Sequence, residues 1–311
     1  MAYSEKQYKQ RISLGQSGNA LMTLIAISLI MFVLFGFIKM IWYFRYEDNN
    51  VALSFFNKNV LSWFTLPADF DKMMSQPWSL ITYMFVHVGI WQILANMLWL
   101  WCFGYIMQDL TGNKKIIPVF IYGSLAGAFA FILAYKLLPA LRPLVPYATA
   151  MGSSAGVLAI AISTTMVAPG YRIFPMIYGG IPLWVLTALY LVIDLGVISM
   201  NNDTGNLIAH LAGAFTGFLF MFFLRKGYDW SEWMNNFFDW VGNLFNPDRP
   251  KKGKNIKEEL FYKSSTMPYK KTPNITQQRI DDILDKINQK GYHFLTDEEK
   301  EVLKKASQED L

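Results

Sequence analysis

Residues 206–220 read NLIAHLAGAFTGFLF, and this stretch decides what kind of protein the chain makes. It continues to Leu224 without a charged residue. A run of that length reads as a membrane span, since about 20 apolar residues cross about 30 Å of hydrocarbon as a helix. Ala209, Gly213 and Gly217 recur at every fourth position. They lay a nearly side-chain-free face along the helix, which lets a neighbouring helix approach closely. His210 stands beside that face, near the start of the span, and a titratable group at such a depth needs a reason.

Five runs of the same kind precede it. The six spans fall at 19–44, 88–108 with an apolar lead-in from Leu80, 116–139, 151–168, 176–199 and 207–224. Composition agrees: 53% of the 311 residues are hydrophobic and 16% are charged, where a soluble domain carries about 25% charge. The net charge of +5 lies mostly toward the two ends. No basic motif interleaved with aromatics lies outside the spans, which argues against nucleic acid as a partner. Cys102 is the one cysteine; inside an apolar run it reads as a core residue. No metal-ligand cluster is visible and no cofactor is implied.

Lysine and arginine set the orientation. Lys6, Lys9 and Arg11 precede the first span, Lys114 and Lys115 follow the second, Arg172 follows the fourth, and Arg225 and Lys226 follow the sixth. Both termini are therefore expected in the cytoplasm, with the starts of spans two, four and six toward the outer side. Without a transit-like presequence, the expected location is a bacterial plasma membrane.

The expected fold is an all-α membrane protein, a six-transmembrane-helix bundle with a cytoplasmic amphipathic helix and a small helical hairpin tail. A cytoplasmic segment, 1–18, leads into the membrane domain, 19–226. Trp230, Trp233, Met234, Phe237, Trp240, Val241 and Leu244 then recur at helical spacing and predict an interfacial amphipathic helix over 227–246. A basic, proline-broken linker follows at 247–275, able to rest on anionic lipid. In the tail, 276–311, Ile280, Ile283, Leu284 and Ile287 predict a short helix ending at Gly291, and Thr296 to Glu299 a capping box opening another. His293 reads as a solvated turn residue, and the hairpin's partner is unknown.

The polar residues inside the spans carry the chemistry. "ATAMGSSAGVLAI", 148–160, opens span four with two hydroxyls, and Gly152 and Gly156 are again four apart. One reading is a tight seam against span six, with serine and histidine as interhelical glue. The other is that the seam brings Ser154 within hydrogen-bond reach of His210, because a serine hydroxyl becomes a competent nucleophile only when a base takes its proton. Span two, FVHVGIWQILANMLWLW over 85–101, adds His87, Gln92 and Asn96. Gln92 and Asn96 are one turn apart on one face. Their amides can bridge helices, or donate to an oxyanion together with the free Ser154 N–H at a helix start. Asp194, late in span five, can orient His210 or cap and solvate a helix end, and the second reading is favoured.

These residues together resemble the rhomboid family of intramembrane serine proteases over roughly 15–225. Gly152-Ser153-Ser154-Ala155 is similar to the family's Gly-x-Ser-Gly motif, Ala209-His210 through Gly213 and Gly217 to its sixth-helix motif, and His87 with Asn96 to its second-helix pair. Pro77 to Tyr83 resembles the segment before that histidine. The resemblance implies a Ser154–His210 dyad with no orienting carboxylate. It implies an oxyanion hole from Asn96 and the Ser154 amide, helped by Gln92, with His87 and Gly152 in support. It also implies helix packing through Gly156, Gly213 and Gly217, a half-submerged loop 45–79, and a lid at 200–206. The implied substrates are single-span membrane proteins cleaved near the outer interface, within the lipid bilayer. Four positions depart from the family pattern: Ala155 replaces a glycine, Gln92 a histidine donor, Ser79 an arginine, and Leu158 a tyrosine that stacks on the catalytic ring. With Leu158, the ring is expected to be held by packing alone. The departures motivate an alternative, a catalytically inactive rhomboid-like protein that binds membrane helices without cleaving them. A transporter fits less well, because the polar groups gather on one side with no inverted counterpart.

Overall fold

In the computed structural model of the protein, residues 19–173, 179–200, 202–244 and 277–309 are described. The N-terminal segment 1–18, with Lys6, Lys9 and Arg11, and the linker 247–275 lie outside the described residues. The chain forms two compact units, Met1–Phe245 and Asn246–Leu311.

The first unit is an all-α bundle. Its apolar helices are α1 (Ala20–Arg45), α5 (Ile90–Thr111), α6 (Ile116–Leu137), α7 (Ser154–Val167), α8 (Leu183–Met200) and α9 (Thr204–Arg225). Between α1 and α5, the first loop folds as α2 (Asn49–Asn59), α3 (Phe70–Ser75) and α4 (Ser79–Thr82). Five of the six apolar helices have the length and hydropathy to cross a membrane. Their outward faces are apolar: Ile30, Phe37, Ile41, Trp91, Leu98, Phe129, Leu133, Val192 and Phe215 are exposed. Water would penalise such a surface and hydrocarbon would not.

The sixth helix departs from the sequence reading. The fourth span was expected at 151–168, but α7 starts at Ser154 and has 14 residues, about 21 Å at the rise of an α-helix. The preceding residues, Thr149–Ala150, form a short strand, β2, antiparallel to β1 (Leu66–Pro67) in the first loop. The fifth span also starts later than expected, at Leu183 and not at 176; of that early stretch, 176–178 lies outside the described residues.

At the centre, α7 is enclosed by α5, α6, α8 and α9, and Val157, Leu158, Ala159, Ile160 and Ala161 are fully buried. Missing side chains allow this. A methyl at Gly213 or Gly217 of α9 would fall on the backbone oxygen of Ala155 or Ala159. Gly123 and Gly127 of α6 face the Ala159 and Ala155 methyls. Gly156 was expected in the seam with span six. It packs instead against Phe120 and Ser124 of α6, because the α9-facing side of α7 passes through Ala155 and Ala159. Ala155 itself fits: its methyl enters the space that Gly127 leaves empty.

Lys114, Lys115, Arg225 and Lys226 lie at one end of this unit. The Ala20 amide donates to Asn113 Oδ1 at 2.8 Å, and Asn235 Nδ2 to the Lys114 carbonyl at 3.1 Å. Lys115 pairs with Asp229, and its ammonium donates to Ser231 Oγ at 2.8 Å. These contacts dock α10 (Ser231–Leu244), which was expected over 227–246, beside the start of α6. Trp230 stacks on Phe223, 4.8 Å between ring centroids, while Trp233, Phe237, Trp240 and Leu244 are exposed. Asp229 titrates below the usual carboxylate range: burial raises it, but the bonds from Lys115 and Ser231 outweigh that.

The second unit is a helical hairpin, Gln277–Lys290 and Asp297–Glu309, turning at Gly291 with φ +88°. Ile283, Leu295 and Val302 form its small core. The Thr296 amide donates to Glu299 Oε2 at 2.8 Å and the Glu299 amide to Thr296 Oγ1 at 3.3 Å, a capping box. Glu299 also pairs with Lys286 at 2.8 Å. His293 is exposed in the turn.

Candidate active site

The site begins at a change of direction in the chain. β2 runs into Met151, and Gly152 then adopts φ +113°, a conformation that side chains disfavour. There is also no room for one: a Cβ at Gly152 would lie 2.9 Å from Gln92 Nε2 and 3.8 Å from Asn96 Nδ2. The Gly152 amide donates to the Tyr83 carbonyl at 2.9 Å, fixing the turn to the segment before α5. Ser154 is therefore the first residue of α7, where the backbone N–H groups lack carbonyl partners and the helix dipole favours negative charge.

Ser154 Oγ is 2.6 Å from His210 Nε2. Behind the imidazole, His210 Nδ1 is 2.6 Å from Asp194 Oδ2. A carboxylate only accepts, so Nδ1 carries the proton and Nε2 is left as the acceptor for the serine hydroxyl. The imidazole is thus held by a hydrogen bond to a carboxylate, where the sequence reading expected packing alone. Leu158, at the position where a stacking ring was expected, is fully buried in the core.

Asp194 was the residue that sequence reasoning set aside, and the sequence held a signal for it. α8 and α9 are joined by residues 201–203, and the Asp203 side chain caps α9 by accepting from the Asn206 amide at 3.2 Å. In a helical hairpin this tight, residues equally far from the turn lie at equal depth. Asp194 and His210 stand eight residues before and after Asn202. The same tight turn corrects the expected lid at 200–206, since α9 already begins at Thr204.

A second histidine lies behind Gly152. His87 Nδ1 donates to the Phe85 carbonyl at 3.2 Å, which leaves Nε2 to accept. Nε2 receives Asn96 Nδ2 at 3.1 Å and the Ser153 amide at 3.3 Å, with Ser153 Oγ at 3.2 Å. Ser153 is fully buried, so it braces the turn and is closed to any substrate. Gln92 Nε2 donates to the Met151 carbonyl at 3.3 Å. Each primary amide has two N–H groups, so Asn96 and Gln92 each keep one donor beyond these bonds.

Beside Ser154 and His210 is a cavity lined by Tyr83, Gly127, Ala150, Met151, Gly152 and Asn206, among others. The cavity is small, with room for about one water molecule.

Comparison with known families finds two matches. Residues 74–227 match the Rhomboid domain, which takes in α4 to α9 and every residue of the site. Residues 268–309 match a family of unknown function, DUF6576. No curated protein matches the chain.

Proposed function

Because residues 74–227 make this chain a member of the rhomboid family, we propose that it is an intramembrane serine protease acting on single-span membrane proteins. The observation that carries this reading is the 2.6 Å contact between Ser154 Oγ and His210 Nε2, at the positive end of a helix and beside a cavity.

The reaction follows from the geometry. Ser154 Oγ attacks the scissile carbonyl carbon while its proton passes to His210 Nε2. The tetrahedral oxyanion forms near the start of α7, where the Ser154 N–H and the remaining amide donors of Asn96 and Gln92 stabilise it. Collapse breaks the C–N bond, and Nε2 returns its proton to the leaving amine. Water then attacks the acyl-enzyme and gives its proton to Nε2. The ester C–O bond breaks, Oγ takes the proton back, and the carboxylic product departs. No step needs a metal or cofactor. A substrate helix must unwind locally beforehand, because its carbonyls are otherwise occupied by intrahelical bonds.

In the membrane, the end bearing Lys114, Lys115, Arg225 and Lys226 is assigned to the cytoplasm by its charge. α10 lies in that interface with its exposed tryptophans in the headgroup region. Ser154 then faces the outer side of the plasma membrane.

The test is cleavage of a single-span substrate by purified protein in proteoliposomes, with Ser154→Ala and Ser153→Ala beside it. Cleavage lost in Ser154→Ala supports the proposal. Cleavage retained in folded Ser154→Ala overturns it.

A further inference from the structure

The Asp194–His210 contact goes beyond a two-residue mechanism. Resting on the hydrolase reading above, we propose that Asp194 is a positioning residue: its carboxylate fixes the tautomer and direction of His210 and offsets the charge the ring acquires when it takes the serine proton. The site is then a Ser–His–Asp relay assembled from three different membrane helices.

The backbone of α8 aims Asp194 inward. Leu183, Thr187 and Tyr190 are its buried residues, and Asp194 continues that stripe one turn further. Val192, Ile193 and Val197, to either side, are exposed. The stripe is pinned before it reaches Asp194. Thr187 Oγ1 is 2.5 Å from Thr165 Oγ1 of α7, and the Tyr190 ring stacks on Trp99 of α5, 4.7 Å between centroids. Asp194 therefore reaches His210 from a fixed platform, and its side chain is 15% exposed. Nor does it serve the helix end, since it lies six positions before Met200, the last residue of α8. A carboxylate inside a membrane helix is costly unless paired, and the imidazole at 2.6 Å supplies the partner.

The chemical consequence is specific. With a carboxylate on Nδ1, the ring presents a bare Nε2 to Ser154 and can accept its proton. With an amide in its place, the side-chain NH₂ donates to Nδ1 and moves the ring proton to Nε2, where it blocks acceptance.

The experiment compares wild type with Asp194→Asn in detergent micelles by two readouts. The first is kcat and KM on a membrane substrate, with the rate of Ser154 labelling by a fluorophosphonate. The second is the ¹⁵N spectrum of the histidine rings. The chain has three histidines, so the His210 signals are assignable with His87→Gln and His293→Gln variants. The expected result is a kcat about 10³–10⁴-fold lower with KM unchanged, by analogy with other serine proteases, and a His210 proton moved from Nδ1 to Nε2. A kcat within about threefold of wild type in active enzyme overturns the proposal; so does an unchanged His210 tautomer, whatever the activity. If wild type neither cleaves nor labels but the tautomer moves, Asp194 keeps its hold on His210 and the hydrolase reading falls instead.

Discussion

Replacing Gly213 by alanine adds one methyl group where α7 and α9 meet backbone to backbone. The new Cβ would overlap the Ala155 carbonyl oxygen and lie 2.9 Å from both the carbonyl carbon and the Cα of Ala155. Ordinary carbon–carbon contact is about 3.5–4.0 Å, so the helices must separate by about 0.6–1.1 Å. The clashing atoms are backbone, so no rotamer change relieves them. Ala155 follows Ser154, and His210 is one turn before Gly213 on α9. The displacement is therefore delivered to the 2.6 Å Ser154–His210 contact and stretches it to about 3.2–3.7 Å, at or beyond the limit of a hydrogen bond. Overpacking of this kind costs about 1–3 kcal/mol of stability, and a misplacement of about 1 Å in a catalytic pair costs about a hundredfold in rate. Gly36→Ala is the control. Nothing lies within 4 Å of its Cβ position, so the same substitution within a helix leaves activity unchanged. The assay is cleavage per folded molecule, normalised by thermal melting in detergent. Gly213→Ala with wild-type rate and melting temperature would refute the claim that this seam sets the catalytic distance.

Two further outcomes follow from the residues behind Gly152. Asn96→Ala and Gln92→Ala each remove a donor, and a true oxyanion donor is worth about 10²–10³ in kcat; the Asn96 change also releases His87 Nε2, so melting distinguishes lost chemistry from lost support.

The spans and the repeating small residues of α9 are local patterns, legible because helical periodicity writes them at short range; Ser154 and His210 are 56 residues apart, and the motifs around each of them suggested the pair. What escaped the sequence was set at long range. Residues 151–153 look like the start of span four. The two residues before them pair with Leu66–Pro67 as a strand, some eighty residues earlier, and no window around Ser154 contains that partner. Gly156 fell on the wrong seam because a four-residue spacing identifies a face without identifying the neighbour. Asp194 was misjudged because it was counted from the end of its own helix and not across the turn to His210.

Counting across the turn also accounts for the length of α7. Arg225 donates to the Met166 carbonyl at the last turn of α7, which ties that end of the helix to the charged interface. A helix of 14 residues spans about 21 Å of a core about 30 Å thick, so its other end stops about 9 Å short of the opposite boundary. Ser154 is at that end. His210 is six residues into α9 and Asp194 six residues from the end of α8, and six residues of helix also measure about 9 Å. Three helices counted separately thus place Ser154, His210 and Asp194 at one depth. A full-length α7 would lift Ser154 into the headgroups and leave His210 and Asp194 without their partner. On the protease reading, the short helix sinks the reaction below the interface, where hydrogen bonds are not shared with bulk water and the positive end of α7 acts on the oxyanion with least screening.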